Sequence, residues 1–299
     1  MKLHYKSFIT HKRGETDEDI QDSIAVNAER GRFALSDGVT NSFLPHILSD
    51  ILTRLFVEEG EVGQFPPSSL PDIFIKARNH YLDSLNEDIR ILQEMVEEEF
   101  RYSAATFVGI SVKEFKITWQ ILGDSCLFIL HQNGQLSCIC SMNVTTTPEG
   151  CLQVDFNNYP RQIRSSGEIV GEWIKGEQKA CPGWIVLASD AMSQWIIQQH
   201  NEGNNPISLL WALKDNQEFE NFVDQECREV RLKSDDESVI LIKISTNDSI
   251  KGKSESSKST KSLKSLKFKK QGRAKKLYKH GNLKMRKRYG FYKKHNKNI

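Results

Sequence analysis

The sequence predicts an α+β fold, namely an α-β-β-α sandwich in which two antiparallel sheets are flanked by helices. Short apolar segments with the alternation of half-buried strands follow one another in runs joined by short turns, and the helical segments stand between these runs as long blocks. Each helical segment carries one apolar stripe, as a helix does when one side packs against a sheet. Two sheets packed face to face account for the many strands and the one-sided helices.

Ten segments have the alternation and composition of β-strands, and most are bounded by residues that favour turns. The predicted strands span residues 3–10, 23–28, 32–37, 104–112, 115–123, 126–131, 135–141, 168–174, 183–189 and 238–245. In the helical segments, apolar residues recur every three to four positions. The predicted helices span residues 42–59, a stretch within 70–100, 191–200, 206–213 and 216–231.

Charge divides the chain into two parts. Residues 1–250 carry 22 Lys and Arg against 38 Asp and Glu, a net charge of −16, whereas residues 251–299 carry 19 against 1, a net charge of +18. The basic segment is rich in Lys and Ser and poor in apolar residues, a composition that does not offset the entropy lost on ordering. We therefore predict one domain over residues 1–247 and a disordered basic tail over residues 248–299.

No apolar segment approaches the roughly 18 residues that a membrane-spanning helix needs. The N-terminal residues also lack the apolar core of a secretory signal, so we expect a cytoplasmic protein. The cysteines include no Cys-x-x-Cys pair and are expected to be reduced thiols in the core. They are Cys126, Cys138, Cys140, Cys151, Cys181 and Cys227.

Two predicted strands end at acidic residues that a hairpin brings together. The turn at residues 28–31 joins the strands, and Gly31 can adopt a positive φ there. A two-residue loop places Asp22 opposite Asp37, whereas a three-residue loop places Asp22 opposite Gly38. In the first register, two carboxylates with Cβ atoms about 5 Å apart repel each other unless a cation lies between them.

Further acids stand where an apolar strand meets a loop. Asp124 lies at a Gly-Asp-Ser break, Asp190 lies between a strand and a helix, and Asp235 precedes the last strand. All these ligands are oxygens, which favours Mg²⁺ or Mn²⁺ over Zn²⁺. Two such ions about 4 Å apart would polarise a phosphoryl group and activate a bridging water. A single Asp after a strand is more often a turn or capping residue, so spacing alone leaves both interpretations open.

Six short motifs occur in order along the chain. They are Gln21-Asp22-Ser23, Ser36-Asp37-Gly38, Ala104-Ala105-Thr106, Gly123-Asp124-Ser125, Ala188-Ser189-Asp190 and Asp235-Asp236-Glu237-Ser238-Val239. This set resembles the metal-dependent Ser/Thr protein phosphatases of type 2C, and the N-terminal segment is most similar to their compact bacterial branch. The resemblance covers most of residues 1–245, and several motifs in one order are far more specific than any one of them.

The resemblance implies a β-sandwich flanked by helices, similar to the fold that the strand pattern predicts. It also implies a pair of Mn²⁺ or Mg²⁺ ions. The implied ligands of this pair are Asp22, Asp37, Asp190, Asp235 and the backbone carbonyl of Gly38. Asp124 corresponds to the Asp that is associated with a third, weaker metal in many bacterial members.

The chain departs from the family pattern at four places, one of which is Val39-Thr40 in place of the Gly-rich or His-containing continuation seen in many members. The phosphate-binding Arg of the family usually stands shortly before the first Asp, where this chain has Asp17, so Arg13 is the nearest candidate for phosphate binding. Ala191 replaces the usual Gly, which disfavours a positive φ at that position. Asp236 stands where Asn is usual. None of these changes removes an implied metal ligand.

The activity implied is hydrolysis of phosphoserine and phosphothreonine on proteins by a water that two metal ions activate. The alternative is a pseudophosphatase that binds a phosphoprotein or a kinase as a regulator, which the missing Arg favours. A phosphoprotein substrate with basic flanks is the expected partner, because the domain is acidic. Some bacterial members act beside a Ser/Thr kinase, so a kinase is a second expected partner.

Three interpretations of the basic tail stay open. Its Lys and Arg residues and interleaved aromatic rings suit a nucleic acid or an acidic partner. It could instead cover the metal-binding edge of its own acidic domain, or act only as a solubilising extension. The aromatic residues are Phe268, Tyr278, Tyr289, Phe291 and Tyr292.

Overall fold

The computed structural model describes residues 1–59, 72–156 and 161–245. The predicted basic tail over residues 248–299 lies outside these ranges, so the division at residue 247 stays a prediction. Within the described ranges, no helix is long and apolar enough to cross a membrane.

The described residues form fifteen strands and six α-helices. The strands are β1 (Lys2–Thr10), β2 (Ser23–Asn27), β3 (Arg32–Ser36), β4 (Ala104–Ala105), β5 (Phe107–Lys113), β6 (Lys116–Leu122), β7 (Cys126–Leu130), β8 (Leu136–Ile139), β9 (Val144–Thr146), β10 (Leu152–Val154), β11 (Gln162–Arg164), β12 (Ile169–Val170), β13 (Ile174–Lys179), β14 (Gly183–Ala188) and β15 (Glu237–Ser245). The helices are α1 (Pro45–Glu59), α2 (Asp72–Ser84), α3 (Glu87–Glu94), α4 (Asp190–Asn201), α5 (Pro206–Ala212) and α6 (Asn216–Arg228), with a short 3-10 turn at Glu98–Phe100.

Two five-stranded antiparallel sheets form the body of the fold. The first sheet has the order β1-β15-β14-β7-β8, and the second has the order β13-β6-β5-β3-β2. Two smaller antiparallel sheets, β10-β9 and β12-β11-β4, stand beside them. The predicted fold class is therefore confirmed.

Three hydrophobic clusters define the layers of the sandwich. The middle cluster joins the facing sides of the two sheets, where Leu187 and Ile240 of the first sheet meet Phe33 and Ile110 of the second. One outer cluster packs the first sheet against α4, α5 and α6, and the other packs the second sheet against α1 and α2. Both faces of each sheet are covered, and each fully buried side chain contributes roughly 1.5–3 kcal/mol of transfer free energy.

The hairpin between β2 and β3 has the first of the two predicted registers. Ser23 pairs with Ser36 and Asn27 pairs with Arg32, so Asp22 lies opposite Asp37, one residue beyond the paired ends. Gly31 closes the turn with a φ of 65°. A Cβ atom at this position would lie 2.2 Å from the carbonyl oxygen of Val112, so only glycine fits. The two acids are thus brought to one edge of the second sheet.

Several predicted boundaries were wrong. The predicted strand 104–112 is divided, because β4 pairs with β11 in a small sheet while β5 pairs with β3 and β6. The predicted strand 168–174 contains β12 but only the first residue of β13, which continues to Lys179, and Gly171 after β12 has a φ of 98°. The described part of the helical stretch 70–100 breaks at Asn86, whose side chain caps α3 by accepting from the Ile89 amide. Local turn and capping preferences override the apolar periodicity at these points.

Three short strands were not predicted at all. They are β9, β10 and β11, each of three residues. Their sequences contain Thr, Gln and Arg beside one or two apolar residues, and three residues are too few for an alternation to be recognised. The predicted helix 216–231 is also shorter than expected, because it ends at Arg228.

Candidate metal centre

The five predicted aspartates lie at one edge of the sandwich, which we call the acidic rim (Asp22, Asp37, Asp124, Asp190 and Asp235). Each follows or precedes a strand whose end reaches this edge: the starts of β2 and β15, the ends of β3 and β14, and the turn between β6 and β7. Because neighbouring strands are antiparallel, the end of one lies beside the start of the next. Residues from distant parts of the sequence therefore meet at the rim.

Mutual electrostatic interactions show that the rim acidic groups form one set. Burial raises the pKa of Asp37 well above its usual value, and the carboxylates of Asp190, Asp124 and Asp235 raise it further. Burial likewise raises the pKa of Asp22, followed by the effects of Asp37 and Asp236.

The same pattern continues across the rim. Burial and then the charge of Asp190 raise the pKa of Asp124 to about 7. The pKa of Asp190 is raised by burial and then by Asp235. Crowded carboxylates without a cation between them have this electrostatic signature.

Two rim oxygens are buried and have no hydrogen-bond partner, namely Oδ1 of Asp22 and Oδ1 of Asp124. A buried carboxylate oxygen without a partner is strongly unfavourable unless a cation or a proton compensates it. Asp37, Asp190 and Asp235 are only half-buried, so the rim is open to solvent from one side. An oxygen-only set with unpaired buried atoms fits a hard divalent cation such as Mn²⁺ or Mg²⁺.

The rim is more open than a closed metal site. Among the described residues, no three carboxylates have one oxygen each within 4.8 Å of one another. Cations of this class bind oxygens at about 2.0–2.6 Å. The structure thus brings the five aspartates to one edge of the sandwich without itself defining a coordination shell.

Hydroxyl groups hold the buried acids in place. Ser238 Oγ donates to Asp22 Oδ2 at 2.6 Å, which joins the start of β15 to the start of β2. Asp37 is fixed through its backbone, because its amide donates to Thr106 Oγ1 at 3.3 Å and its carbonyl accepts from the Thr106 amide at 2.8 Å. The Ala-Ala-Thr motif thus positions the second Asp.

Gly38 stands where a side chain cannot fit. A Cβ atom there would lie 2.7 Å from the carbonyl oxygen of Gln21 and 2.9 Å from the Cβ of Pro45. Gly38 also bridges to Ala105. The backbone after Asp37 is therefore packed closely against the rim.

The departures from the family pattern have local explanations. Ala191 lies in the first turn of α4, and its amide donates to Asp190 Oδ1 at 2.6 Å, so this helical position needs no positive φ. Asp236 accepts from the amides of Lys12 at 3.1 Å and Gln21 at 2.8 Å. It therefore ties down the N-terminal loop.

Arg13 lies apart from the rim carboxylates. Its Nε is 3.2 Å from Asp224 Oδ1 on α6, and its side chain is 50% exposed. Its backbone amide donates to Ser234 Oγ at 3.2 Å, so the backbone of Arg13 lies beside the residue that precedes Asp235. The guanidinium, in contrast, points to α6. The role of Arg13 in phosphate binding stays a prediction.

Sequence reasoning did not identify two charged residues that lie at the site. Lys233 Nζ lies 3.4 Å from Asp235 Oδ2 and 3.9 Å from Asp190 Oδ2, so it places a cation beside the rim. Glu237 is fully buried, neither carboxylate oxygen has a hydrogen-bond partner, and burial, Asp190 and Asp235 raise its pKa well above the usual value. The run of charges at residues 233–237 was the signal that could have found both.

Solved structures of bacterial phosphatases share this architecture. The catalytic domain of the serine/threonine protein phosphatase PstP in complex with two manganese ions is 17% identical, with a TM-score of 0.50 over 81% of this chain and 97% of its own. PstP/Ppp of Mycobacterium tuberculosis is 16% identical, with a TM-score of 0.50 over 82% of this chain and 99% of its own. Serine/threonine phosphatase Stp1 from Staphylococcus aureus is 17% identical, with a TM-score of 0.52 over 82% of this chain and 96% of its own.

The chain has the type 2C phosphatase fold. At this low identity the similarity shows the fold, and at that level the resemblance predicted from the sequence motifs is confirmed. No family model matches the sequence, and no curated protein matches it either.

Proposed function

We propose that the protein is a metal-dependent phosphatase that hydrolyses phosphoserine and phosphothreonine on proteins. The observation that carries this proposal is the convergence of five aspartates on one solvent-open rim, with two buried oxygens that lack any partner. The type 2C fold and the manganese ions of the PstP catalytic domain support the same conclusion.

The proposed ligands of a cation pair are Asp22, Asp37, Asp190, Asp235 and the backbone carbonyl of Gly38. Asp124 is proposed as a ligand of a third, weaker ion. When bound, two Mn²⁺ or Mg²⁺ ions polarise the phosphoryl group and lower the pKa of the attacking water.

The protein's own residues shape the site in three ways. Ser238 orients Asp22 through its hydroxyl, and the backbone of Thr106 fixes Asp37. The half-buried aspartates face solvent, which leaves room for a phosphorylated side chain. Lys233 places a positive charge beside Asp190 and Asp235, where it can attract and orient a substrate phosphate.

Hydrolysis assays test the proposal directly. Mn²⁺-dependent cleavage of p-nitrophenyl phosphate and of a phosphothreonine peptide is expected for the wild type, with loss in Asp37→Asn and Asp190→Asn. Asp155→Asn is the matched control, because Asp155 is an exposed aspartate outside the acidic rim whose Oδ2 accepts from Asn143 Nδ2. The proposal is overturned if the wild type and both rim variants bind metal and are equally inactive.

A pseudophosphatase is the second candidate function, and the position of Arg13 favours it. Its guanidinium pairs with Asp224, so the nearest candidate for the phosphate-binding Arg is engaged with α6. Tight binding of a phosphopeptide without turnover would support this candidate. Robust turnover would remove it.

We further propose that the opposing partner is a Ser/Thr kinase and that both act in the cytoplasm. All six cysteines are free, as is usual in a reducing compartment. Deleting the phosphatase gene should raise the phosphorylation level of a cellular protein. Restoring the wild type, but not Asp37→Asn, should lower that level again, which would support this assignment.

For the basic tail we propose binding to nucleic acid, which its net charge of +18 over residues 251–299 supports. Association should weaken steeply with salt and be lost on truncation at Ser249, as measured by an electrophoretic mobility shift. Retention of the shift after truncation would contradict this role.

A further inference from the structure

Three cysteines converge on the helix-facing side of the first sheet, next to the acidic rim. We call Cys126, Cys138 and Cys140 the thiol cluster. Cys126 begins β7, and Cys138 lies in β8, which is the edge strand of this sheet. The register pairs Leu127 with Ile139, so Cys126 lies opposite Cys140, one residue past the end of β8.

Strand alternation directs the three side chains to one face. Cys138 and Cys140 are two residues apart and therefore point the same way. All three pack into the apolar layer between the first sheet and α4, whereas Leu127 points to the opposite, sheet-facing core. Because the three cysteines share one face and lie at neighbouring positions of two paired strands, their sulfur atoms lie close together.

The sulfur spacing is close to that of a metal site. The three Sγ atoms lie within 4.8 Å of one another, and they are the one such group of potential ligands in the part of the chain that the structure describes. A metal–sulfur bond is about 2.3 Å, so three sulfurs in a trigonal plane lie about 4 Å apart. Adjustments of less than about 1 Å therefore close the site.

The surroundings favour a soft ion over a hard one. Cys126 and Cys140 are buried, and apolar side chains form the cluster around them. Within the described residues, no histidine or carboxylate joins the group as a fourth ligand. Thiolates select soft cations such as Cu⁺, whereas structural Zn²⁺ almost always takes four ligands. Cys138 is half-buried on the edge strand, which gives an ion a path from solvent.

We infer that Cys126, Cys138 and Cys140 form a three-coordinate thiolate site for a soft, thiophilic cation, with Cu⁺ as the best match. Binding involves no change of oxidation state. Each thiol releases its proton to solvent and its sulfur donates a lone pair to the ion. The remaining cysteines, Cys151 and Cys181 among them, stand outside the group.

The inference is tested on the full chain, reduced, metal-free and without oxygen. Cu⁺ is supplied as its acetonitrile complex against a chromophoric chelator that competes for the ion. The wild type should hold one Cu⁺ with sulfur-only coordination by X-ray absorption spectroscopy. Cys138→Ser should lose at least 100-fold in affinity, whereas Cys181→Ser, the matched control at an exposed cysteine, should be unchanged.

A second measurement covers variants that fail to fold. In the wild type, bound Cu⁺ should protect Cys138, the half-buried cluster thiol, from alkylation by N-ethylmaleimide relative to the metal-free protein, while the exposed Cys181 stays reactive, as read by peptide mass spectrometry. The inference is overturned by equal Cu⁺ affinity in Cys138→Ser or by a rate of Cys138 alkylation that bound Cu⁺ leaves unchanged. No substrate or Mn²⁺ enters these experiments, so their outcome is independent of the proposed phosphatase activity.

Discussion

The acidic rim and the thiol cluster are two proposed ligand sets of opposite character that lie side by side in the chain. Asp124 belongs to the first and Cys126 to the second, with only Ser125 between them. The turn between β6 and β7 directs the carboxylate to the rim, and the first residue of β7 directs its sulfur to the helix-facing core. Position relative to the sheet thus sorts hard and soft donors into separate sites.

The two sets also differ in the charge that burial leaves without a compensating partner. The rim carries several carboxylates whose pKa values are raised by burial and by one another, so it is destabilising when no cation is bound. The thiol cluster is neutral when protonated, and its thiols donate weakly to nearby carbonyls, such as Cys126 Sγ to the Asp124 oxygen at 3.3 Å. The proposed cations should therefore stabilise the rim more than the cluster.

The largest expected effect is that a variant of either site loses the ion of that site and keeps the ion of the other. Asp37→Asn should lose binding of Mn²⁺ by more than about 100-fold while it keeps the affinity for Cu⁺, because it removes one hard ligand and no sulfur. Cys138→Ser should lose Cu⁺ and keep Mn²⁺. Calorimetric titrations of each variant with each ion provide the measurement, and loss of both ions in either variant would show that the sites are not separate.

The second prediction concerns the stability of the metal-free rim against pH. The pKa of Asp124 is about 7 in the folded chain against 3.8 unfolded, so the folded state binds its proton more tightly. The stability that Asp124 contributes should be present in full below about pH 4 and fall by on the order of 4 kcal/mol as the pH rises to about 7. Urea unfolding with a chelator present measures this loss.

Two controls sharpen the pH experiment. Asp124→Asn should flatten the decline, because it removes the titrating group, and excess Mn²⁺ should restore stability at pH 8 by binding the folded state. A metal-free protein that gains stability between pH 4 and pH 7 would contradict the description of the rim as uncompensated.

Part of the rim could be predicted from the sequence because backbone pairing is strongly patterned. The two apolar strands around Gly31 left two registers open, and the structure has the one that sets Asp22 opposite Asp37. The layered fold followed from the same alternation. Short polar strands such as β9 carry too few residues for that signal, which is why they were missed.

Other parts of both sites depend on contacts that no local pattern encodes. The pairing of Arg13 with Asp224 joins a loop to α6 across more than two hundred residues. The cysteines were expected to be ordinary core thiols, since their convergence depends on the register of β7 with β8. Spacing in the sequence does not show whether side chains on two distant strands lie on the same face of a sheet.

A third, smaller effect is expected from the buried carboxylate of Glu237. Both of its oxygens lack hydrogen-bond partners and the side chain is fully buried. Glu237→Gln should stabilise the metal-free protein at pH 8 by about 1–3 kcal/mol, because a neutral amide costs less to bury than a charge. A chemical denaturation midpoint that moves downward would contradict this account of Glu237.

The smallest expected effect separates the two cations near the rim. Lys233→Met should lower kcat/KM for a phosphothreonine peptide by about tenfold, or about 1.4 kcal/mol, because Lys233 stands beside Asp190 and Asp235. Arg13→Met should change it by less than about twofold, since the guanidinium pairs with Asp224. The reverse order of effects would assign phosphate binding to Arg13.

Titration calorimetry of the wild-type protein with Mn²⁺, run beside the hydrolysis assay, tests the central claim most directly. Two ions per chain at the rim are expected, with phosphopeptide hydrolysis that appears as the sites fill and is absent in Asp190→Asn. Saturation without turnover, or a stoichiometry and affinity that Asp37→Asn and Asp190→Asn leave unchanged, would contradict the assignment of the acidic rim as a catalytic metal centre.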